Sequence, residues 1–246
     1  MQRKEAYTLM ELAVVFTVIG MLIGGSLYGS YLVQTANLRS VIVDFKTIET
    51  AFQGFIDTYQ AVPGDFVNAG NIWGTRCNPT PANCNGNGDG LITANSSATA
   101  NEMFRSWQHL ALSGFYPNNL TGMSGSAGNN GSDTTNSPAS KMLGGLYSLT
   151  QRVHSSTFGY TTGDGNSYNY MTLGKVNGNG SASVAVLTSV DAQAIDSKMD
   201  DGVPSMGKIF SYAVNTCTLG TTSTATYKLT TTGVLCTMAY RLFTTN

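Results

Sequence analysis

The chain has 246 residues, a formal net charge of −1 and 11% charged residues, well below the ~25% that is typical of soluble domains. This length is enough for one large domain or two small ones with a substantial core. The near-neutral charge excludes the basic footprint of a nucleic-acid-binding protein. We therefore predict no contact with nucleic acid.

Four cysteines lie in two local pairs. Cys77 and Cys84 occupy a loop-like stretch, whereas Cys217 and Cys236 flank a strand-like one. Of the three possible connectivities, Cys77–Cys84 with Cys217–Cys236 is the simplest. Such bridges indicate an oxidising compartment. Four free thiols are the alternative.

The first predicted element is one helix from about residue 8 to 60. Residues 12–33 carry no charge, and as a helix they are about 33 Å long, enough to cross a bilayer. Arg3 and Lys4 before this run belong on the cytoplasmic side. Between residues 38 and 59 apolar side chains recur every three or four positions, which predicts a single face that a globular part must cover.

A lone carboxylate, Glu11, stands at the start of the apolar run. An ionised carboxylate is unfavourable in lipid, by up to ~2.5–3.5 kcal/mol at the bilayer centre. Its position therefore predicts a partner. The alternative is an ordinary signal anchor with Glu11 at the membrane interface.

The junction MQRKEA/YTLME and the long apolar helix after it resemble the class III signal of type IV pilins and type II secretion pseudopilins. The matching residues are Ala6, Tyr7, Thr8, Leu9 and Glu11. The resemblance implies that a prepilin peptidase cuts between Ala6 and Tyr7 on the cytoplasmic face. Tyr7 is then N-methylated, and the apolar helix becomes the core of a helical filament.

The resemblance also supplies the partner of Glu11, which is the charged N-terminal amine of a neighbouring subunit. Two charges that are unfavourable alone neutralise each other in a low dielectric, and the pairing sets the axial register. The sequence departs from the family at Ala6, where glycine is usual, and by the absence of proline in residues 12–33. Glycines in that run offer a softer helix in place of the proline and, as pairs spaced four apart, close helix packing: Gly20/Gly24 and Gly25/Gly29.

Residues 61–75 (AVPGDFVNAGNIWGT) resemble a turn and W-G segment that follows the helix in a subgroup of pilin-like proteins. Their Pro-Gly pair ends the helix. We expect Phe66, Ile72 and Trp73 to pack back on it. A binding pocket at Trp73 is the alternative.

Residues 85–92 (NGNGDGLI) resemble the first half of an EF-hand or dockerin-type calcium loop. Ser96 stands where such a loop needs Glu, and calcium binding is therefore expected to be weak. Asn-Gly turns without a metal are the alternative. The predicted ligands are the side chains of Asn85, Asn87 and Asp89, the carbonyl of Leu91, and Glu102 as the nearest carboxylate that could close the site.

The rest of the chain predicts one helix, a long loop and an antiparallel sheet. Residues 101–116 are predicted to form an amphipathic helix. Its His109 is expected to be structural and partly exposed, and a histidine ligand is the alternative. Residues 117–140 are predicted to form a surface loop. From about residue 143 apolar and polar residues alternate as in strands. Within residues 189–210 we predict a short helix and a turn. Asp196 and Lys198 are expected to pair at the surface, with calcium binding by Asp196, Asp200 and Asp201 as the alternative.

These elements predict an α+β fold in which a long N-terminal helix packs on a C-terminal antiparallel sheet, as in pilins. The predicted parts are a leader (1–6), a transmembrane or filament-core helix (7–33), the amphipathic half of that helix (34–62) and a globular head (63–246).

The resemblance implies a non-enzymatic filament subunit that serves adhesion, motility, secretion or DNA uptake. Its expected partners are copies of itself, the prepilin peptidase, an inner-membrane assembly platform and the membrane. Before assembly it lies in the inner membrane with its head in the periplasm, and afterwards in an extracellular pilus or a periplasmic pseudopilus. A monomeric membrane-anchored periplasmic binding module, adhesin or enzyme is the alternative.

Overall fold

The computed structural model of the chain describes most of its residues. The described residues are 7–95, 99, 101–117, 119–124, 135–142, 144–154, 158–161, 164–176, 180–212 and 215–242.

The first helix, α1, runs unbroken from Leu9 to Tyr59 over 51 residues, which confirms the predicted helix. It ends at Gln60, whose φ of 50° places it in the left-handed region. The buried residues all lie in its second half and repeat at helical spacing: Val41, Phe45, Ile48, Ala51, Phe52, Phe55 and Ile56. The amphipathic half therefore belongs to the core of the head, as predicted.

The other helices are much shorter than α1. A 3₁₀ turn spans Gly74–Arg76. The predicted helix over 101–116 is shorter at its C-terminal end in the structure. The helices are α2 (Ala69–Trp73), α3 (Pro81–Cys84), α4 (Glu102–Leu112) and α5 (Ser189–Met199).

The described strands are β1 (Leu146–Val153), β2 (Ser167–Val176), β3 (Ala182–Val184), β4 (Ile209–Ser211), β5 (Thr218–Leu219), β6 (Thr226–Tyr227) and β7 (Met238–Arg241). They form an antiparallel sheet in the order β1-β2-β7-β4, with β3 paired to the end of β2, and a separate β5-β6 pair. The predicted α+β class is therefore confirmed. Strand β1 (LYSLTQRV) was not among the runs that the alternation singled out.

Helix α1 packs on one face of this sheet. The ring of Phe45 lies against Tyr147 and Tyr240, with centroids 5.6 and 5.7 Å away. The Tyr240 hydroxyl donates to Glu49 Oε1 at 2.7 Å, and Lys208 Nζ lies 3.5 Å from the same oxygen. Apolar packing and these polar contacts together fix the helix to the head.

Two of the three residues that were predicted to pack back on α1 are buried. Phe66 and Trp73 are buried, and the Trp73 ring lies 6.1 Å from Phe55 of α1. The prediction for Ile72 was wrong, because its side chain is 49% exposed. Both predicted disulfides are present, Cys77–Cys84 and Cys217–Cys236.

Candidate functional site

The N-terminal end of α1 carries the residues of the predicted processing and assembly site. Ala6 lies outside the described residues. Tyr7 is 81% exposed, and Glu11 stands in the first helical turn. Glu11 Oε2 accepts hydrogen bonds from the Thr8 backbone N–H at 2.8 Å and from its hydroxyl at 3.0 Å. Thr8 Oγ1 in turn accepts from Glu11 N–H at 3.2 Å.

These reciprocal bonds form a capping box, which the sequence analysis missed although Thr8-x-x-Glu11 fits the S/T-x-x-E pattern. The box satisfies backbone donors that a helix start leaves without partners. Glu11 therefore has a local role in addition to the predicted intersubunit pairing. Of the two carboxylate oxygens of Glu11, only Oε2 accepts the bonds of the box from the residues that the structure describes.

The first half of α1 presents apolar side chains on every side. Large hydrophobic residues from Leu9 to Val33 are at least 42% exposed, and the helix has the length and composition of a membrane span. Its first polar contact with the head is Gln34, which donates to Asp191 Oδ1 at 2.7 Å. About 37 Å of helix therefore projects without cover.

The candidate calcium loop is held by two buried carboxylates that reach it from outside. Asp65 accepts from the backbone N–H groups of Gly88, Asp89 and Gly90, and Glu102 from those of Asn87 and Thr93. Gly88 and Gly90 have φ of 81° and 83°, a conformation that favours glycine. The loop thus directs its N–H groups toward Asp65 and Glu102.

Most of the predicted ligand oxygens also hold backbone groups. Asn85 Oδ1 accepts from Gly70 N–H at 2.7 Å, and Asn87 Oδ1 from Asp89 N–H at 3.1 Å. Asp89 Oδ1 accepts from Leu91 N–H at 2.9 Å. The sixth ligand position of the motif, Ser96, lies outside the described residues. These bonds explain the loop conformation without a cation, and calcium binding stays a prediction.

Three carboxylates lie near this loop. Burial raises the pKa of Asp65, the backbone N–H groups of Gly90 and Gly88 lower it, and the neighbouring charge of Asp89 raises it. Burial likewise raises the pKa of Glu102, with smaller increases from Asp65 and Asp89. Because the three carboxylates repel one another, a bound divalent cation would offset part of the unfavourable charge.

We predict that chelation lowers the melting temperature of the full-length protein in non-ionic detergent. At free calcium near ten times Kd, binding would contribute about 1.4 kcal/mol, or roughly 3–5 °C. Asp89→Ala should abolish the difference between calcium and chelator, whereas Asp57→Ala, on the exposed surface of α1, should retain it. Identical wild-type melting curves in the two conditions would leave the metal-free turn as the better interpretation.

The alternative calcium cluster lies at the end of α5. The ligand oxygens of Asp196, Asp200 and Asp201 are within 4.8 Å of one another. Hydrogen bonds within the protein account for this grouping: Tyr227 hydroxyl donates to Asp196 Oδ2 at 2.8 Å, and Ile209 N–H to Asp200 Oδ2 at 3.0 Å. The predicted surface pairing of Asp196 with Lys198 was wrong, because Asp196 is fully buried and its pKa is raised by burial to about 7.

His109 joins the segments around the candidate loop. Its Nδ1 accepts from Gly64 N–H at 2.8 Å, and its Nε2 lies 2.8 Å from the carbonyl of Cys84. Because Nδ1 accepts, the neutral ring carries its proton on Nε2 and donates to that carbonyl. The expectation of a partly exposed side chain was wrong: His109 is fully buried, and burial lowers its pKa to about 4.

No family model, curated protein or solved structure matches this chain.

Proposed function

We propose that the protein is a structural subunit of a type IV pilus or pseudopilus-like filament, anchored in the inner membrane before assembly by its N-terminal helix. One observation carries this proposal: α1 is a single helix whose second half belongs to the head core and whose first half is apolar all round and uncovered. A membrane satisfies that surface before assembly, and the equivalent helices of other subunits satisfy it within a filament.

The chemistry of the N-terminal end supports the same proposal. A leader with Arg3 and Lys4, the small residue Ala6 and the Tyr7-to-Glu11 pattern precede the helix. Removal of the leader creates a charged amine on Tyr7, one helical turn from Glu11. Glu11 is exposed in the single chain, so its carboxylate is accessible to the amine of a second copy.

The proposal is tested on cells that produce the protein. Filaments sheared from the surface, or pseudopili collected from the periplasm, are imaged by electron microscopy, and their subunits are weighed intact by mass spectrometry. We expect polymers of this chain beginning at N-methylated Tyr7. Cells that lack prepilin peptidase are the control and should retain residues 1–6 and form no filament.

A different result would favour the monomeric anchor. A chain that keeps Met1 to Ala6 beside an active prepilin peptidase, and that sediments as a monomer from solubilised membranes, would contradict the filament proposal. Function would then have to reside in the head alone.

A further inference from the structure

Two short segments of the head, residues 182–190 and 229–237, lie side by side, and we call them together the base of the head. The Leu235 N–H donates to the Leu187 carbonyl at 2.9 Å, and an isolated β-bridge joins Leu187 to Cys236. The first segment leads into α5 and the second into β7. The base therefore joins the start of α5 to one end of the sheet.

The base lies next to the point where α1 leaves the head. Asp191, the residue directly after the first segment, accepts a hydrogen bond from Gln34 Nε2 at 2.7 Å. Gln34 makes the first polar contact between the head and the helix, and only the uncovered apolar half of α1 precedes it. Val190 therefore stands beside the emerging helix.

The surface of the base is apolar and uncharged. Neither segment contains Asp, Glu, Lys or Arg. Val190 is 55% exposed and Val234 51%, and the side chains of Val184 and Leu229 are exposed as well. Contact with lipid would remove apolar surface from water without the cost of desolvating a charge.

The length of the apolar helix gives the depth of the base relative to a bilayer. A hydrocarbon core about 30 Å thick takes about 20 helical residues, and counted from the residue after Glu11 it ends at Tyr31. Gln34 then lies roughly 4–5 Å beyond the hydrocarbon, within a headgroup layer that is about 5–8 Å thick on each side. Val190, beside the partner of Gln34, is therefore at the level of the lipid headgroups.

We propose that the base of the head is a lipid-contact surface, which rests in the periplasmic headgroup layer with Val190 and Val234 against the lipids. This inference rests on the membrane-anchored state of the proposed function. The head packs on one face of α1 only, so the contact would fix the rotation of the helix about its own axis in the membrane. The contact would have to break when a subunit leaves the membrane for the filament.

The test uses the full-length protein, labelled at its Val and Leu methyl groups, in phosphatidylcholine nanodiscs that hold a single chain. We expect nuclear Overhauser contacts from the choline methyl protons to the methyls of Val190 and Val234. Val67 is the matched control, because it is a 53% exposed valine beside Phe66, whose ring packs on Tyr59 at the far end of α1 with centroids 5.5 Å apart. Its methyls should show contacts to water and none to choline. Val190→Ala and Val67→Ala assign the signals by removing them.

Leu22, in the middle of the apolar run, separates failure of this inference from failure of the anchor. Contacts of its methyls to lipid acyl chains, together with no choline contact at Val190, would show an inserted helix whose head stands away from the bilayer, and would overturn the proposal. Absence of both contacts would show that α1 is not inserted, and the anchored state would fail with it.

Two other results would also overturn the proposal. Choline contacts at Val67 as strong as those at Val190 would show that the head lies on the bilayer without a particular surface. In discs that hold two chains, contacts from Val190 to the other chain in place of choline would show that a second copy covers the base.

Discussion

Replacing Glu11 with alanine is expected to abolish or greatly slow filament assembly while membrane insertion and leader removal proceed. Insertion should survive because the change removes a charge from an apolar helix. Cleavage after Ala6 should survive because the cut lies five residues earlier in the sequence. In the proposed filament the Tyr7 amine would then be buried unpaired, which costs about 3–5 kcal/mol for every subunit. Filament counts by electron microscopy, normalised to membrane-bound subunit, measure the effect.

The capping box makes further variants necessary, because Glu11→Ala also removes the bonds to Thr8. Glu11→Gln keeps a capping residue but loses the charge. Thr8→Ala removes the reciprocal cap but keeps the charge, at about 1 kcal/mol of helix stability. If charge pairing drives assembly, Glu11→Gln should fail nearly as completely as Glu11→Ala, whereas Thr8→Ala should still assemble.

The reverse pattern would contradict the charge-pair explanation. Normal filament numbers from Glu11→Gln, together with few from Thr8→Ala, would show that helix capping is what assembly requires. Co-expressed wild-type subunits offer an additional check. They should partly rescue Glu11→Ala, since each can present a carboxylate to a mutant neighbour.

Replacing His109 with phenylalanine is expected to destabilise the head by about 2–6 kcal/mol at pH 7. The aromatic ring is retained against Phe55, which stacks on His109 with centroids 5.9 Å apart. Gly64 N–H and the Cys84 carbonyl, however, lose their partners inside the core, and each unsatisfied group costs about 1–3 kcal/mol. Chemical unfolding of the full-length protein in non-ionic detergent measures the loss.

The free energy of unfolding of wild type should also depend on pH more strongly than that of His109→Phe. The imidazole takes up a proton below about pH 6.5 in the unfolded chain but only below about 4 in the folded one. Between these values the unfolded state binds more protons, so the free energy of unfolding falls as the pH falls. Wild type should lose about 3 kcal/mol from this group between pH 7 and 4. The gap between wild type and His109→Phe should therefore narrow on acidification.

Subtracting the free energy of unfolding of His109→Phe from that of wild type cancels the contributions of Asp65, Glu102 and Asp196, because both proteins contain these groups. His154→Phe is the control. His154 is half-buried, with Nδ1 2.8 Å from the Tyr170 hydroxyl, and its removal should change the slope less. A gap that stays constant from pH 7 to 4 would show that His109 is not the acid-sensitive group.

The long helix was predictable because two periodicities follow one another without a breaker. A charge-free run precedes a stripe at helical spacing, and a Pro-Gly pair comes after both. Strand β2 was predictable because apolar and polar residues largely alternate along its sequence. Strand β1 escaped because its apolar residues, at positions 146, 147, 149 and 153, do not alternate with polar ones, and because its buried polar side chains, such as Thr150, bond partners that are distant in sequence.

The candidate loop was recognised by its spacing, but the residues that hold it were only partly found. Asp65 lies more than twenty residues before the N–H groups that it accepts from, and no local pattern announces such a contact. His109 was misjudged for the same reason: its two backbone partners come from segments that only the folded chain brings together. Long-range satisfaction of buried polar groups is the information that a single sequence does not display.

The contact between the Tyr240 hydroxyl and Glu49 joins residues 191 positions apart. During biosynthesis, Glu49 is therefore made well before its partner. Ribosomes add about 5–20 residues per second, so roughly 10–40 s pass between synthesis of the apolar stripe on α1 and arrival of strand β7, which helps to cover it. Throughout that interval the buried face of α1 lacks the strand that covers part of it. If the first half of the helix is inserted in a membrane as proposed, this face stands next to the membrane surface until strand β7 is made.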